Sequence, residues 1–328
     1  MLSNNFKENN MRVLITGGAG RLGINIDRAF IKNGFNVRVF DLNTPLNRKS
    51  IKRLGGKAEV YWGDITQPDS VHKALEGIDA VVHMAGILPP VAYEKPELAE
   101  RVNVGGTRII VDALKEAGRQ IPFVFTSSVA AFGPTPHATE PLCPDEHKPN
   151  PRGAYGETKL QAENIIKESG ISYVILRLTA TMYLSFSFSD IKRMFTVPLN
   201  NRVEYCHPDD TATAILNAVK YFDLVKGNTL VISGGPEQRM LYKDMLGRIL
   251  GVMGLPVPPA HKFTKNPYYL DWYDTAKAQK LLKFQHRSFA DYIKDFSKQL
   301  TTKYGPGFIP FMRNFVSPVF GKAIVQFF

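Results

Sequence analysis

Arg12-Val13-Leu14-Ile15-Thr16-Gly17-Gly18-Ala19-Gly20-Arg21-Leu22-Gly23 is the stretch on which the fold turns. Arg12 to Thr16 is an apolar run of strand length that ends at glycines. Leu22, Ile26, Ala29 and Phe30 then recur at helical spacing, and Asn33-Gly34 closes the pattern as a C-cap does. The turn satisfies G-x-G-x-x-G through Gly18, Gly20 and Gly23, and T-G-x-x-G-x-x-G through Gly17, Gly20 and Gly23. Glycine is needed there for a tight turn, for close approach of backbone to a pyrophosphate, and for helix–strand packing. With a strand before it and a helix after it, the turn reads as a dinucleotide cradle whose helix amides take the phosphates.

Outward from this turn, strands and helices alternate. Strands are predicted at Val37 to Phe40, Ala58 to Trp62, Ala80 to Met84, Pro122 to Thr126, Tyr173 to Leu176 and Thr229 to Ile232. Helices are predicted at Pro68 to Leu75, at Pro96 to Ala117 as one long element, at Tyr155 to Glu168, and up to Tyr221 from a cap at Asp209 or Asp210. This order implies an α/β, doubly wound parallel sheet of Rossmann type, with ligands outside the C-terminal ends of its strands. Residues 11–177, completed by about 207–233, form the nucleotide-binding domain. A smaller, mostly helical substrate lobe is expected from 178–206 and 234–298, a disordered leader at 1–10, and a hydrophobic tail at 299–328.

Asp41 closes the second strand. A carboxylate there accepts hydrogen bonds from ribose hydroxyls and repels a 2′-phosphate, which favours NAD over NADP. Tyr155 and Lys159, four apart at a helix start, share one face. A free phenol has a pKa of about 10, and lowering it by three units takes about 4 kcal/mol of preferential phenolate stabilisation. The Lys159 ammonium is a source of it. Thr126-Ser127-Ser128 ends the fifth strand, so its hydroxyls fall on the active rim, where one can hydrogen-bond a substrate oxygen.

In this order the motifs resemble the extended short-chain dehydrogenases/reductases, the NAD-dependent epimerase/dehydratase group. The resemblance rests on Thr16 to Gly23, Asp41, Asp64-Ile65, His83 to Gly86, Asn103 to Thr107, Thr126 to Ser128 and Tyr155 to Lys159. It extends to Leu176-Arg177, His207 to Asp210 and Asp274 to Ala278, and so covers about 11–298. It implies that Ser128, Tyr155 and Lys159 are catalytic. It implies a cofactor held by Gly17, Gly20, Arg21, Leu22, Gly23, Asp41, Asp64, Ile65, Ala85, Gly86, Asn103 and Thr126, with Tyr155 and Lys159. Asp64 and Ile65 would flank the adenine, Thr126 would lie near the nicotinamide ribose, and Ser127 would be a second substrate hydroxyl. His83 reads as a packed strand residue rather than a base.

Two departures bear on the substrate. Lys262 to Trp272 lacks the Arg-x-Gly-Asp-like segment of nucleotide-sugar enzymes, and Leu178-Thr179-Ala180 lacks their asparagine. Apolar residues lead the remaining candidates: Ile87 to Pro89, Met182 to Leu184, Phe186, Phe188 and Phe195, with Thr179 as a polar neighbour. The leading expectation is hydride transfer between NAD and a carbinol or ketone carbon of an apolar small molecule. The alternatives are a nucleotide-sugar epimerase or dehydratase that recycles its NAD, and a non-catalytic NAD-binding protein at a membrane surface.

Composition narrows the setting. Forty-one Lys and Arg against 30 Asp and Glu give a formal charge of +11, but no dense basic run or zinc-finger spacing calls for nucleic acid. The cysteines, Cys143 and Cys206, are not paired as C-x-x-C, so no metal is expected and a reduced, cytoplasmic setting is. No stretch reaches the roughly 18 apolar residues of a membrane span. The aromatic segment 305–328 leaves three readings: packing on the body or on a homodimer partner, contact with the inner membrane face, or a mobile end.

Overall fold

The computed structural model describes residues 11–136, 138–179, 181 and 194–319. The expected leader at 1–10 and the pocket candidates Met182 to Phe188 lie outside these residues. Nine strands are found among the described residues: β1 (Arg12–Thr16), β2 (Asn36–Asp41), β3 (Glu59–Trp62), β4 (Ala80–His83), β5 (Phe123–Ser128), β6 (Tyr173–Leu178), β7 (Arg202–Glu204), β8 (Thr229–Ile232) and β9 (Arg239–Leu241). Seven of them form one sheet in the order β3-β2-β1-β4-β5-β6-β8. Every pairing in it is parallel, with Thr16 level with Phe40 on one side and His83 on the other.

These strands read as near-continuous apolar runs because both sheet faces are covered. Alternate residues part accordingly. Val13, Ile15, Val37 and Val39 pack with Ile26 and Phe30 of the Gly23–Lys32 helix and with Ile215 and Val219 of the Pro208–Lys220 helix. Leu14, Val81, Phe123 and Phe125 pack on the other face with Val71, Ile110, Leu114 and Ile166. The strand order reverses between β1 and β4, so a crevice opens at that rim, where doubly wound folds bind dinucleotides.

Three sequence expectations need correction. The helix expected over Pro96 to Ala117 is broken: Pro96–Ala99 and Gly106–Glu116 are α-helical, but Glu100–Gly105 is a π turn. π bulges often mark functional positions, and this one carries Asn103. Neither aspartate caps the Pro208–Lys220 helix. His207 does, its Nδ1 accepting from the Asp209 amide at 3.1 Å, while Asp210 accepts from the amides of His286 and Arg287. The C-terminal lobe is helical as expected, through Tyr242–Gly251, Ala276–Leu282 and Phe289–Tyr304, and adds the short β9, paired antiparallel with β7. Phe195 is not a free pocket wall. Its ring lies 5.0 Å from that of Phe263 at a tilt of 55°, and it packs, half-buried, against the lobe core of Tyr205, Ile249, Tyr273 and Phe296.

Candidate active site

The glycine loop follows from steric demands at three positions. Gly17 has φ +73°, and a Cβ on it would come within 2.9 Å of the Ala85 backbone. A Cβ on Gly23 would meet the Gly18 carbonyl oxygen at 2.3 Å. At Gly20 a Cβ would approach the loop's own Gly17 oxygen at 3.1 Å, closer than ordinary van der Waals contact. Leu22 sits at the N-cap of the Gly23–Lys32 helix with no side chain capping it; the Ile24 and Asn25 amides donate to the Gly20 and Leu22 carbonyl oxygens, so an outside acceptor would meet the loop and helix start ahead of them. The loop therefore fits a pyrophosphate.

Asp41 holds this loop. Its Oδ2 accepts from the Ala19 amide at 3.0 Å, and its Oδ1 accepts from the Leu42 amide and the Asn47 side chain. Burial raises its proton affinity, opposed by the two amides. Beneath Gly18 lies a second carboxyl, Asp27, fully buried and with neither oxygen hydrogen-bonded. Burial, and then the charge of Asp41, raise its pKa well above the carboxylate range.

The floor between cradle and reaction centre is built from β4 and the π turn. Thr16 Oγ1 accepts from the amides of Met84 and Ala85, both at 3.1 Å. A Cβ on Gly86 would meet Asn103 Oδ1 at 3.0 Å and Lys159 Nζ at 3.6 Å, so these three residues converge. Asn103 accepts from the Ile87 amide at 2.6 Å and donates to both the Ile87 carbonyl oxygen and Thr158 Oγ1. His83 is fully buried between Thr16 and Thr107, at 2.7 and 3.1 Å. Burial, with the nearby Lys159 charge, lowers its pKa to about 3. It is a neutral packing residue.

The Ala154–Glu168 helix presents Tyr155 and Lys159, 7% and 3% exposed. Lys159 donates to the Thr126 carbonyl oxygen at 2.9 Å and lies 4.9 Å from the Phe125 ring centre. Burial lowers its pKa to about 8, opposed by the charge of Glu163. Ser128 ends β5, and its Oγ accepts from the Ala130 amide at 3.1 Å, which leaves its own proton for another acceptor. Tyr155 packs among Ala92, Ala99 and Ala130, with Ile87 and Tyr269 beside them.

Other candidates are placed differently. Ser127 Oγ donates to Glu163 at 2.6 Å, so its hydroxyl is spent on a buried network. Thr179 Oγ1 donates to the Glu204 carbonyl oxygen at the junction of sheet and lobe. Thr126 Oγ1 donates to the His83 carbonyl oxygen. Asp64 closes a local turn by accepting from the amide and hydroxyl of Thr66, and Ile65 is buried against Gly106. Arg21 lies exposed at the start of the helix.

Three features escaped the sequence reading. Thr158 joins Asn103 to the Ala154–Glu168 helix. Glu163 takes a bidentate Arg177 at 2.9 and 2.8 Å, and Arg177 stacks on Phe132. Its one sequence signal is the placement of Glu163 four residues after Lys159. Tyr268 and Tyr269 stack with ring centres 4.3 Å apart, the Tyr268 hydroxyl donating to that of Tyr269. Burial, with the phenols of Tyr268, Tyr155 and Tyr93 next, raises Tyr269 well above an ordinary tyrosine. Nothing local in sequence places these rings beside Tyr155.

A parallel sheet wound in this order, with a glycine cradle at its switch point and a Ser–Tyr–Lys set on the same rim, defines the extended short-chain dehydrogenase/reductase class. Residues 13–183 match the model of the NAD dependent epimerase/dehydratase family, and the chain belongs to that family of enzymes, whose cofactor is NAD. An uncharacterized protein y4nG of Sinorhizobium fredii is 34% identical over 62% of this chain and 52% of its own length. UDP-glucose 4-epimerase of Lactobacillus helveticus is 37% identical over 51% of each chain, and D-erythronate dehydrogenase of Cupriavidus necator 30% identical over 48% and 50%. The chain spans about half the length of these curated relatives. In fold it is similar to UDP-glucuronic acid 4-epimerase of Bacillus cereus, with TM-score 0.73 and 24% identity over 88% of this chain and 100% of that one.

Proposed function

We propose that the protein is an NAD-dependent oxidoreductase that moves a hydride between NAD and the carbinol or ketone carbon of an apolar substrate, with Tyr155 as the acid–base group. The observation that carries this reading is the setting of Tyr155. It lies at a helix N-terminus and packs among Ile87, Ala92, Ala99, Ala130 and Tyr269, so the surroundings of the phenol are apolar side chains and one ring. Such walls, with a few polar groups, suit a hydrophobic alcohol or ketone. Lys262 to Trp272 supports it too: Phe263 and Leu270 are buried in the lobe, and Tyr269 packs beside Tyr155.

NAD, when bound, supplies the acceptor or donor of the hydride. The glycine loop from Gly17 to Gly23, including Arg21 and Leu22, binds its phosphates. Asp41 receives the adenosine ribose and disfavours a 2′-phosphate. Asp64 and Ile65 border the adenine, Ala85 and Gly86 pass along the dinucleotide, and Thr126 and Lys159 hold the second ribose. Ser128 donates its hydroxyl proton to the substrate oxygen and orients it. Tyr155 gives that oxygen a proton in reduction and takes it away in oxidation. The Lys159 ammonium favours the phenolate electrostatically, an effect amplified by its burial. Asn103 keeps the Ile87 loop against the catalytic helix, and Ser127 steadies Glu163 rather than touching substrate.

The likeness to UDP-glucose 4-epimerase favours a second reading, epimerisation or dehydration with NAD recycled inside each turnover. The likeness to D-erythronate dehydrogenase favours net oxidation. Incubation with NAD and a panel of hydrophobic secondary alcohols separates them by nicotinamide absorbance. Accumulating NADH supports the proposal. Product without NADH release, from a nucleotide sugar, overturns it in favour of the epimerase reading.

A further inference from the structure

Residues 308–319 form a helical segment that follows the Phe289–Tyr304 helix after a turn at Gly305, with a π stretch at Met312–Val316. One side of it is fastened to the lobe. Ile309 packs against the lobe core, Arg313 Nε donates to the Val252 carbonyl oxygen at 2.8 Å, and Ser317 donates to the Gly254 carbonyl oxygen. These positions recur every four residues. The opposite side carries Phe311, Phe315 and Val319, at the same spacing but offset by two, which is about half a helical turn. They are 55%, 66% and 70% exposed. Phe311 and Phe315 stack at 6.0 Å, and Tyr304, 53% exposed, lies 4.6 Å from Phe308, so the outer side is an aromatic ridge. Because the inner side is hydrogen-bonded to the body, the ridge cannot roll inward.

Charge says what the ridge meets. From Phe296 to Phe328 the sequence contains no Asp or Glu, and its charged residues are Lys298, Lys303, Arg313 and Lys322. Lys303 Nζ lies 4.8 Å over the Tyr304 ring. Pairing of two copies through this face would bring the same cations together, whereas an anionic bilayer surface complements them. No helix among the described residues is long and apolar enough to cross a membrane, so such a contact lies on the surface. We propose that the Phe311–Phe315–Val319 ridge docks the protein on an anionic lipid surface, with its rings at the headgroup boundary. This does not depend on which reaction the site performs.

The test is flotation of the full chain with phosphatidylcholine vesicles, with and without phosphatidylserine, beside a Phe311→Ser, Phe315→Ser, Val319→Ser variant. The three positions are exposed and none belongs to the residues that build the site, so the variant keeps its melting temperature and NAD affinity. The wild type floats with the anionic vesicles, less so in high salt, and the variant loses binding by about tenfold or more. Wild type that stays unbound, or a variant that floats equally well, overturns the proposal. So does sedimentation showing a wild-type dimer that the variant dissolves while neither floats, which assigns the ridge to a second copy.

Discussion

Lys159 donates to the Thr126 carbonyl oxygen over 2.9 Å, which ties the helix bearing Tyr155 to the end of β5 beside Ser128. One buried ammonium thus anchors the helix that carries Tyr155 to the sheet. Tyr155→Phe keeps the ring and removes the proton donor. It is expected to lower kcat by about 10²–10⁴-fold with NAD affinity unchanged by titration. Lys159→Met is expected to lower kcat as far and also to weaken NAD binding. Unchanged turnover in Tyr155→Phe removes the acid–base assignment.

The cradle makes separable predictions for affinity and selectivity. Gly23→Ala drives a methyl into the Gly18 carbonyl, where the gap is 2.3 Å, and neither backbone can yield cheaply. NAD dissociation constants measured by calorimetry should rise by at least about tenfold, the equivalent of about 1.4 kcal/mol. Asp41→Ser removes the charge that repels a 2′-phosphate. The NAD/NADP ratio of kcat/KM should fall by about the same factor, and an unchanged ratio places selectivity elsewhere.

Glu163 and Arg177 are 0% and 2% exposed at their side chains. Arg177 holds the Glu163 carboxylate below its ordinary pKa against the opposing effect of burial, helped by Ser127 and Lys167. Removing one partner strands the other charge. Arg177→Met should cost about 3–5 kcal/mol of unfolding free energy in urea titration. A loss within the usual ±0.5 kcal/mol of surface changes shows that the pair is solvated.

Acid sensitivity follows from His83. Its folded pKa is about 3 against an ordinary 6.5, so below pH 6.5 the unfolded chain takes up a proton that the folded chain refuses. The folded state therefore loses stability as pH falls from 6.5 towards 3, by up to about 1.4 kcal/mol per pH unit. Asp27 acts in the opposite sense: its raised pKa favours folding at low pH, and that advantage is lost as pH rises from the ordinary carboxylate value to the raised folded one. Denaturant midpoints across this window should show a shallower acid slope in His83→Gln than in wild type. Equal slopes assign acid denaturation to other groups.

The order of strands and helices, the glycine turn, Asp41 and the Tyr155–Lys159 pair were legible because each is a local pattern. Backbone sterics decide where only glycine fits, and helical periodicity puts residues four apart on one face. The π turn at Asn103, the Glu163–Arg177 pair, the commitment of Ser127 and the tyrosines beside Tyr155 were not legible. Each depends on segments far apart in the chain meeting in a buried space, where an unpaired amide, hydroxyl or carboxylate must find whichever partner packing brings near. Asn103 shows the difference: in a helix its side chain could have faced water, but the extra residue of the π turn turns it between Ile87 and Thr158. Chain order alone pointed to the residues proposed to hold a dinucleotide and move a proton. Packing decided which hydroxyls remain free to meet a substrate, because buried polar groups take their partners from the whole fold.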